Sequence, residues 1–444
     1  MPVKALALLI VFVFFCGGAL YHPMVGVVAY LLHYNTAPEK QWWGKPLALL
    51  GIRFAVMLSL MTFIGAVRNR DKLRYGQDFL TDQEWLCIIF VLMIWSSTIT
   101  GAFGQITDRT VDPPHIKMTK QLVSAFLFTH IITTVKRVNV LFWTISIATF
   151  FVGYMAYDAP SWLYISGRLD GVGGSDFNEA NRLSGHFALC LPFIAVQFVR
   201  SGWKGKAVAA VCGAFTVNGM VLTQSRGGFL ALAVAGFLGL FVAHKQIRKA
   251  YFLYIMLGLI GASFVVSEQF LDRMQSITAE EDERDDSAQS RIYIWQASTR
   301  MFMDYPFGVG AGNFADAIVP YIPEYGKRKD AHNMYVLCYS ELGIQGAVLY
   351  VIIIFSTLLL YRKIGREIEK LPPETRQDMI WFRFGTILSF ISSMWGGITI
   401  GKLYAENTNW LIFVFPVCLW RAVQNAKEDA ENAKNSEISH AEKT

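Results

Sequence analysis

The sequence is dominated by apolar runs close to the length of about 20 residues that a helix needs to cross a lipid bilayer. These runs recur from the N-terminus to about Arg421, and no polar stretch between them is long enough to fold as a separate soluble domain. Hydrophobic residues make up 53% of the 444 residues and charged residues only 17%, unlike an ordinary soluble domain. The sequence therefore predicts an all-α integral membrane protein, because helices satisfy their own backbone hydrogen bonds in lipid.

Hydropathy predicts about 12 transmembrane helices. The clear apolar runs cover residues 46–67, 83–103, 119–135, 138–157, 183–199, 207–222, 228–243, 250–266, 334–361, 379–400 and 409–419. At the N-terminus, runs 4–20 and 23–34 are separated by a Tyr-His-Pro sequence, so they predict either two thin spans or one broken helix. The first run also resembles a signal peptide, but the many spans that follow favour a retained membrane segment.

Positive charge predicts how these helices are oriented, because loops rich in Lys and Arg stay on the cytoplasmic side. The basic loops are 68–74, 136–137, 200–206, 245–249 and 362–370. They alternate with loops of lower positive charge, which predicts one polytopic membrane domain over residues 1–423 with both ends in the cytoplasm. The polar tail 424–444 is expected to be cytoplasmic and disordered, and the long loop at about 267–333 is expected to face outward, which in a bacterial inner membrane is the periplasm. The net charge of +6 is assigned to this orientation and not to a nucleic-acid partner.

The long outer loop has two notable segments. The acidic run 280–286 is interpreted as solvated, although a metal-dependent role stays open because hard cations bind carboxylate oxygens. The segment after it places apolar positions at helical spacing, which predicts an amphipathic helix on the membrane face. Those positions are Ile292, Trp295, Thr299 and Phe302. The six cysteines lie in apolar runs without metal-ligand spacing, so neither a metal nor another cofactor is predicted.

Several arginines fall on the predicted outer side, where positive charge opposes the topology rule and needs another reason. They are Arg53, Arg168, Arg182, Arg226 and Arg291. Arginine grips phosphate through a planar fork of donors and resists deprotonation, so this set suggests a pyrophosphate site. The alternative for each arginine is a local ion pair or a side chain that reaches to the membrane interface.

His332 is the candidate general base, because it directly precedes an apolar run that starts on the outer side. Asp330 or Asn333 is expected to cap that helix and to place the imidazole near its positive N-terminus, where a neutral ring is favoured. Tyr335 and Tyr339 follow on one helical face, either as a sugar-binding wall or as ordinary interfacial aromatics.

A second polar group precedes the run 183–199. Asn181, together with Asp176 and Glu179, is a candidate for orienting an acceptor sugar, although these residues also suit the start of the next helix. His186 lies one turn inside that run and is a weaker candidate for the same site.

These residues carry a family resemblance. The His-Asn pair at 332–333, followed by Glu-Leu-Gly at 341–343, resembles the signature of the O-antigen ligase and polymerase superfamily of membrane glycosyltransferases. The Ser-Arg-Gly sequence at 225–227 is similar to that family's turn, and the order of spans with one long outer loop before the histidine is also similar. The resemblance covers most of the chain and is most specific over residues 183–361.

The resemblance implies a GT-C-like helical membrane fold and transfer of a glycan from undecaprenyl diphosphate, without nucleotide or metal. Carried over to this sequence, Arg226 and Arg291 hold the diphosphate and His332 activates the acceptor hydroxyl. Asn333 belongs to the same motif and is expected to contact substrate. A single displacement at the anomeric carbon inverts its configuration, and the compact chain resembles a ligase acting on the lipid A-core oligosaccharide.

Other functions stay open at this stage. A polymerase of O-antigen or exopolysaccharide, or a transferase to protein hydroxyls, fits the same motifs, and residues 23–43 resemble ligase-like proteins of exopolysaccharide loci. A secondary transporter also has about 12 spans, but its charges lie near the bilayer midplane and its halves are related. The chain shows no internal repeat and its unusual charges fall on one side.

Overall fold

The protein is almost entirely helical in the part of the chain that the computed structural model describes. That part comprises residues 3–41, 43–48, 51–74, 78–102, 112–165, 167–172, 174, 177, 179–263, 286–401, 403–404 and 410–441. The strands in these ranges form one two-stranded antiparallel sheet, in which β1 (Tyr164–Ile165) pairs with β2 (Arg168–Leu169). The predicted all-α class is therefore confirmed.

The N-terminal apolar region forms two helices. They are α1 (Val3–Tyr21) and α2 (Pro23–Thr36), and they meet at His22, because the proline ring that follows favours the first position of a new helix. Buried Phe12 of α1 and Ala29 of α2 lie in one apolar cluster with Phe54. The two runs therefore pack as separate helices in a common core.

The next helices are α3 (Lys45–Ala48), α4 (Phe54–Arg68), α5 (Asp82–Thr100) and α6 (Pro114–Ile131). The prediction of one continuous span over 46–67 is wrong. Gly51 adopts a left-handed φ of 68° and Arg53 is the N-cap residue of α4, so the helical hydrogen-bond ladder restarts there. Arg53 consequently lies at a helix end and not inside a span.

The central helices are α7 (Val135–Tyr157), α8 (Ala180–Arg200), α9 (Trp203–Leu222), α10 (Arg226–Val242) and α11 (Arg248–Ser263). The chain continues as α12 (Asp286–Asp304), α13 (Phe314–Ala317), α14 (Met334–Ile368), α15 (Pro373–Gly396) and α16 (Phe415–Ala441). Single 3₁₀ turns occur at Pro38–Lys40, Arg70–Lys72, Ser161–Leu163 and Val319–Tyr321.

Six of the described helices, α1, α5, α7, α8, α9 and α14, are long and apolar enough to cross a membrane, and α4 and α10 are shorter apolar helices. The core lies between α7, α8 and α15, where the Phe142 ring packs 4.7 Å from both Phe193 and Phe382. Large apolar side chains are exposed on outer helices, such as Phe241 at 67% and Leu359 at 65%. Such faces suit contact with lipid, and the count of about 12 crossings stays a prediction.

The helix α12 was predicted with its apolar face on the membrane surface. The helix forms, but its buried apolar residues are Ile294, Ala297 and Met301, while Thr299 is exposed. The buried face is rotated from the predicted one because α12 packs against protein at α14.

The expectation of a disordered tail is wrong for its described residues, which continue α16 to Ala441. The Asn425 amide donates to the carbonyl oxygens of Arg74 and Thr133, at 2.6 and 2.7 Å. Arg74 also pairs with Glu428 and Asp429. These contacts hold the first turns of the tail against loops between earlier helices. Hydrogen bonds and ion pairs therefore stabilise a segment that has few apolar side chains to bury.

The bundle has two distinct polar ends. At the first, called the site end below, the starts of α8, α10 and α14 meet the end of α15. At the second, called the tail end, Arg200 at the end of α8 pairs with Asp378 near the start of α15, at 2.7 Å. The motifs that carried the family resemblance lie at the site end.

Candidate functional site

The Ser-Arg-Gly turn is fastened to the start of α8. Ser225 is the N-cap residue of α10, and its hydroxyl donates to Asn181 Oδ1 at 2.8 Å. Arg168 donates to the same oxygen at 3.3 Å and to the Thr223 carbonyl at 3.2 Å. Gln224 has a φ of 46°, a strained conformation for a side-chain-bearing residue that these bonds help to hold. Arg168 and Asn181 therefore position the turn.

The two glycines after Arg226 allow the turn to pack closely. A side chain on Gly227 has no room beside Thr399, and one on Gly228 has no room beside Ser184 of α8. Arg226 is the first helical residue of α10 and is half-buried. The start of α10 and the side chain of its first residue both carry positive charge, which favours an anion near this turn.

His332 lies in a strained segment just before α14. Its φ of 45° is in the left-handed region, which suits glycine and is rare for histidine. Asn333 is the N-cap residue, and its side-chain oxygen accepts from the N–H groups of Tyr335 and Val336 at 2.9 and 3.1 Å. The predicted position of His332 at a capped helix N-terminus is confirmed, and its side chain is 35% exposed.

Asp330 connects His332 to α8. Its Oδ2 lies 4.0 Å from His332 Nδ1 and 3.7 Å from an Arg182 guanidinium nitrogen. Arg182 also lies 3.5 Å from Glu179. These separations are longer than a normal hydrogen bond, so the side chains of Arg182, Asp330 and His332 retain donors and acceptors for a ligand. From the sequence, Asp330 is predicted only as a helix cap, although its position two residues before His332 also favours an interaction with that side chain.

The segment after α15 brings the Arg226 turn and the His332 segment together. The Met334 N–H donates to the Gly397 carbonyl at 2.8 Å, and Gly401 lies close to Asp330. Thr399, between these two glycines, contacts the Arg226 turn at Gly227. The start of α8 also contacts both the Arg226 turn and the His332 segment. These four parts of the chain therefore form one connected region at the site end.

Arg291 reaches the same region through α12. Trp295, one helical turn after it, donates its indole N–H to the Ala331 carbonyl at 2.8 Å, directly before His332. Arg291 is half-buried. The hydrogen bond therefore places this face of α12 beside the histidine segment.

Contacts between α12 and the chain after it fix that helix. Arg300 donates to the Tyr321 carbonyl at 3.0 Å, and the Tyr293 hydroxyl donates to Glu324. The hydrogen bond from Tyr293 lowers the pKa of the Glu324 carboxyl. Burial and a hydrogen bond to Asp304 raise the pKa of Tyr321 to about 12. These phenols therefore stay neutral donors around pH 7.

The Glu-Leu-Gly sequence of α14 has a structural role that sequence analysis did not identify. The Glu341 carboxylate accepts from the N–H groups of Gly312 and Phe314, at 2.8 and 2.9 Å. Gly343 adopts a φ of 69° and breaks the helix, and a Cβ there has no room beside the Phe307 backbone. Gly308 has a φ of 92° and packs as closely against Glu341. The glycine-rich loop, which contains Gly308, Gly310 and Gly312, is therefore a turn that packs directly against α14.

The remaining site candidates lie in several places. The Tyr335 hydroxyl donates to the Met394 carbonyl of α15 at 2.7 Å, and the Tyr339 ring packs edge-on against Phe302 at 5.4 Å. His186 is fully buried, with its ring centroid 4.3 Å from that of Phe177. The substrate-binding roles predicted for these three residues stay predictions.

Arg53 is not brought to the connected region by any contact among the described residues. It lines a separate cavity with His33, Glu39 and Lys120. The acidic run falls on residues 280–285, outside the described residues, apart from Asp286 at the start of α12, and Asp176 is also outside them. Within the described ranges, no group of three His, Cys, Asp or Glu side chains is placed to hold a metal ion.

Comparisons with known proteins give the following matches. No curated protein matches the chain. A chain in a solved structure described as structural coordination of polymerization and crosslinking by a peptidoglycan synthase complex aligns with a TM-score of 0.43 and 13% identity. The alignment covers 78% of this chain and 97% of that one. Residues 208–351, about a third of the chain and including the Arg226 turn, His332 and Glu341, match the family model described as O-antigen ligase, which confirms the resemblance to that superfamily.

Proposed function

We propose that this protein is an O-antigen ligase of the bacterial inner membrane that transfers a glycan from undecaprenyl diphosphate to the lipid A-core oligosaccharide on the periplasmic side. The family match supports a membrane glycosyltransferase of the ligase or polymerase type, with lipid-linked glycan as substrate. The proposal goes beyond the family match in naming the donor, the acceptor and the side of the membrane. The observation that supports the proposal is that Asp330 lies between Arg182 and His332, in the same connected region as the Arg226 turn.

His332 is the proposed general base. With Nδ1 directed toward Asp330, the other ring nitrogen, Nε2, is left to accept a proton. The acceptor hydroxyl oxygen attacks the anomeric carbon, its proton passes to Nε2, and a new glycosidic C–O bond forms. The bond from that carbon to the diphosphate oxygen breaks on the opposite face, so the configuration inverts.

The arginines have a separate part in this step. The electron pair of the broken bond leaves with the diphosphate, whose growing negative charge requires preorganised cations. Arg226 at the start of α10 and Arg291 on α12 are the proposed diphosphate ligands. Arg182 balances the charge of Asp330, while Arg168 and Asn181 hold the turn at the distances given above. No step in this scheme requires a metal or nucleotide.

The location of the proposed site also supports an enzyme over a transporter. Arg226 is the first residue of its helix and His332 precedes the N-cap of another. Transporter sites commonly lie near the middle of broken membrane helices. The two proposed functional residues instead share a connected region at helix ends.

The test is in vitro transfer from an undecaprenyl-diphosphate glycan to lipid A-core, with and without a chelator. We expect transfer by the wild type in both conditions, and a loss of about 10²–10⁴-fold in His332→Ala because a general base is removed. Arg226→Ala is expected to lose transfer as well. Exposed His22 and Arg70 supply matched controls, His22→Ala and Arg70→Ala, which keep activity.

Other results have definite meanings. Wild-type transfer to a growing repeat-unit chain or to a protein hydroxyl, and not to lipid A-core, replaces ligase by one of the other acceptor classes. Transfer that disappears with chelator contradicts the metal-independent mechanism. A product linkage that retains the anomeric configuration contradicts single displacement. Full activity of properly inserted His332→Ala removes that residue from the mechanism.

A further inference from the structure

A cavity of about 360 Å³ lies where α4 and α6 begin, and none of its lining residues belongs to the Arg226 and His332 region. Its charged lining consists of His33, Glu39, Arg53, Asp112 and Lys120. Apolar Phe54 and Val56 of α4 complete one side. The cavity thus joins charged groups to the beginning of an apolar helix face, as the binding site of an amphiphile requires.

The cations and carboxylates of this cavity are not all paired with one another. Lys120 pairs with Asp112, and His33 Nε2 lies 3.1 Å from Glu39 Oε2. Within the described residues, no hydrogen bond or ion pair engages the exposed Arg53 side chain. Both carboxylates of the cavity therefore have a partner other than Arg53, and the Arg53 guanidinium keeps its donors for a ligand. Its planar fork of donors matches a phosphate better than a single-point ligand.

A second cavity, of about 310 Å³, lies farther along the same two helices, and its lining is apolar except for Glu84. Lys120 of α6 lines the first cavity, while Leu122 and Val123 line the second; Val123 follows Lys120 by three residues, so these two lie on the same side of α6. On α4, Val56 lines the first and Phe63 the second, seven residues or about 10 Å along the helix. Leu60, between them, is 50% exposed, so the apolar path opens outward along α4.

We propose that the groove between α4 and α6 binds one anionic membrane lipid. The phosphate of its headgroup contacts Arg53, and one acyl chain follows α4 into the apolar cavity beside Leu122. Arg53 selects the headgroup, because neither carboxylate of the cavity pairs with it, and the apolar cavity selects an attached chain over a free anion. This lipid site goes beyond the proposed transfer reaction and does not depend on it.

The test measures binding of a fluorescent phosphatidic acid to the purified full-length protein in a zwitterionic detergent. Arg53→Gln is expected to weaken binding by about tenfold or more, because a charge-assisted hydrogen bond is removed. Arg70→Gln makes the same charge change on an exposed residue at the opposite end of α4 and is expected to bind like wild type. Arg53→Lys, which keeps the charge without the fork, is expected to fall between them.

Further arms separate the headgroup from the chain and from catalysis. Leu122→Trp, which fills the apolar cavity, is expected to weaken binding although Arg53 is intact, and His332→Ala is expected to leave it unchanged. A neutral diacylglycerol probe is expected to bind poorly. Unchanged binding in Arg53→Gln, an equal loss in Arg70→Gln, or displacement by inorganic phosphate at concentrations equal to the lipid probe overturns the proposal.

Discussion

Two charged clusters at opposite ends of the bundle contain similar residues and differ in how tightly they are built. At the tail end, Arg421 and Glu84 are 2% and 6% exposed and 2.9 Å apart. Glu84 also accepts from Thr81 and Thr129. At the site end, Asp330 is 36% exposed, and its partners Arg182 and His332 are 3.7 and 4.0 Å away. The closed cluster fastens helices together, while the open one keeps groups available to a ligand.

The strongest way to test this comparison is to break the closed cluster. Arg421→Ala leaves Glu84 buried without its cation, and we expect a cost of about 3–5 kcal/mol in the free energy of unfolding. A thermal unfolding assay on the protein in detergent measures the loss. A variant that unfolds at the wild-type temperature shows that the pair does not fasten α16 to α5.

In the open cluster, a substitution is expected to reduce transfer and to leave thermal stability nearly unchanged. Asp330→Asn keeps the shape but removes the charge between Arg182 and His332, so transfer is expected to fall about 10–100-fold, equivalent to about 1.4–2.7 kcal/mol in the barrier. Because Asp330 is proposed to position His332, the pH profile of transfer should also shift. Thermal stability is expected to stay near that of wild type, and a large drop in stability makes Asp330 a structural residue instead.

Removing the cap that holds His332 gives a smaller effect. Asn333→Ala loses the acceptor for two backbone N–H groups, with an expected cost of about 0.5–2 kcal/mol in stability. Asn333→Asp preserves that acceptor and is the matched control. Equal stability of both variants and wild type shows that the cap contributes little, whatever happens to transfer.

The smallest effect is expected at the exposed ion pairs of the tail. Glu428→Ala removes an exposed pair with Arg74, and screening by solvent limits its contribution to about 0–1 kcal/mol. The same unfolding assay compares it with Arg421→Ala. A loss as large as that of Arg421→Ala contradicts the distinction between closed and exposed ion pairs.

Much of the site was predictable because its parts are local in sequence. The Ser-Arg-Gly turn, the capped start of α14 and the helix before the glycine-rich loop follow from short patterns with known geometry. The role of Asp330 was not predictable, because its second partner, Arg182, is 148 positions earlier in the chain (330 − 182). Glu341 was recognised only as part of a motif, since nothing local indicates that it binds the Gly312 backbone.

Hydropathy by itself determined that this is an all-α membrane protein, because apolar composition and run length leave few other structures for such a chain. Tertiary structure decided where helices break and what their polar ends contact. Gly51 interrupts one run and separates Arg53 from the other arginines, and packing orders a tail whose composition indicates disorder. Such outcomes depend on contacts between distant segments, which make burial and ion pairing properties of the whole bundle.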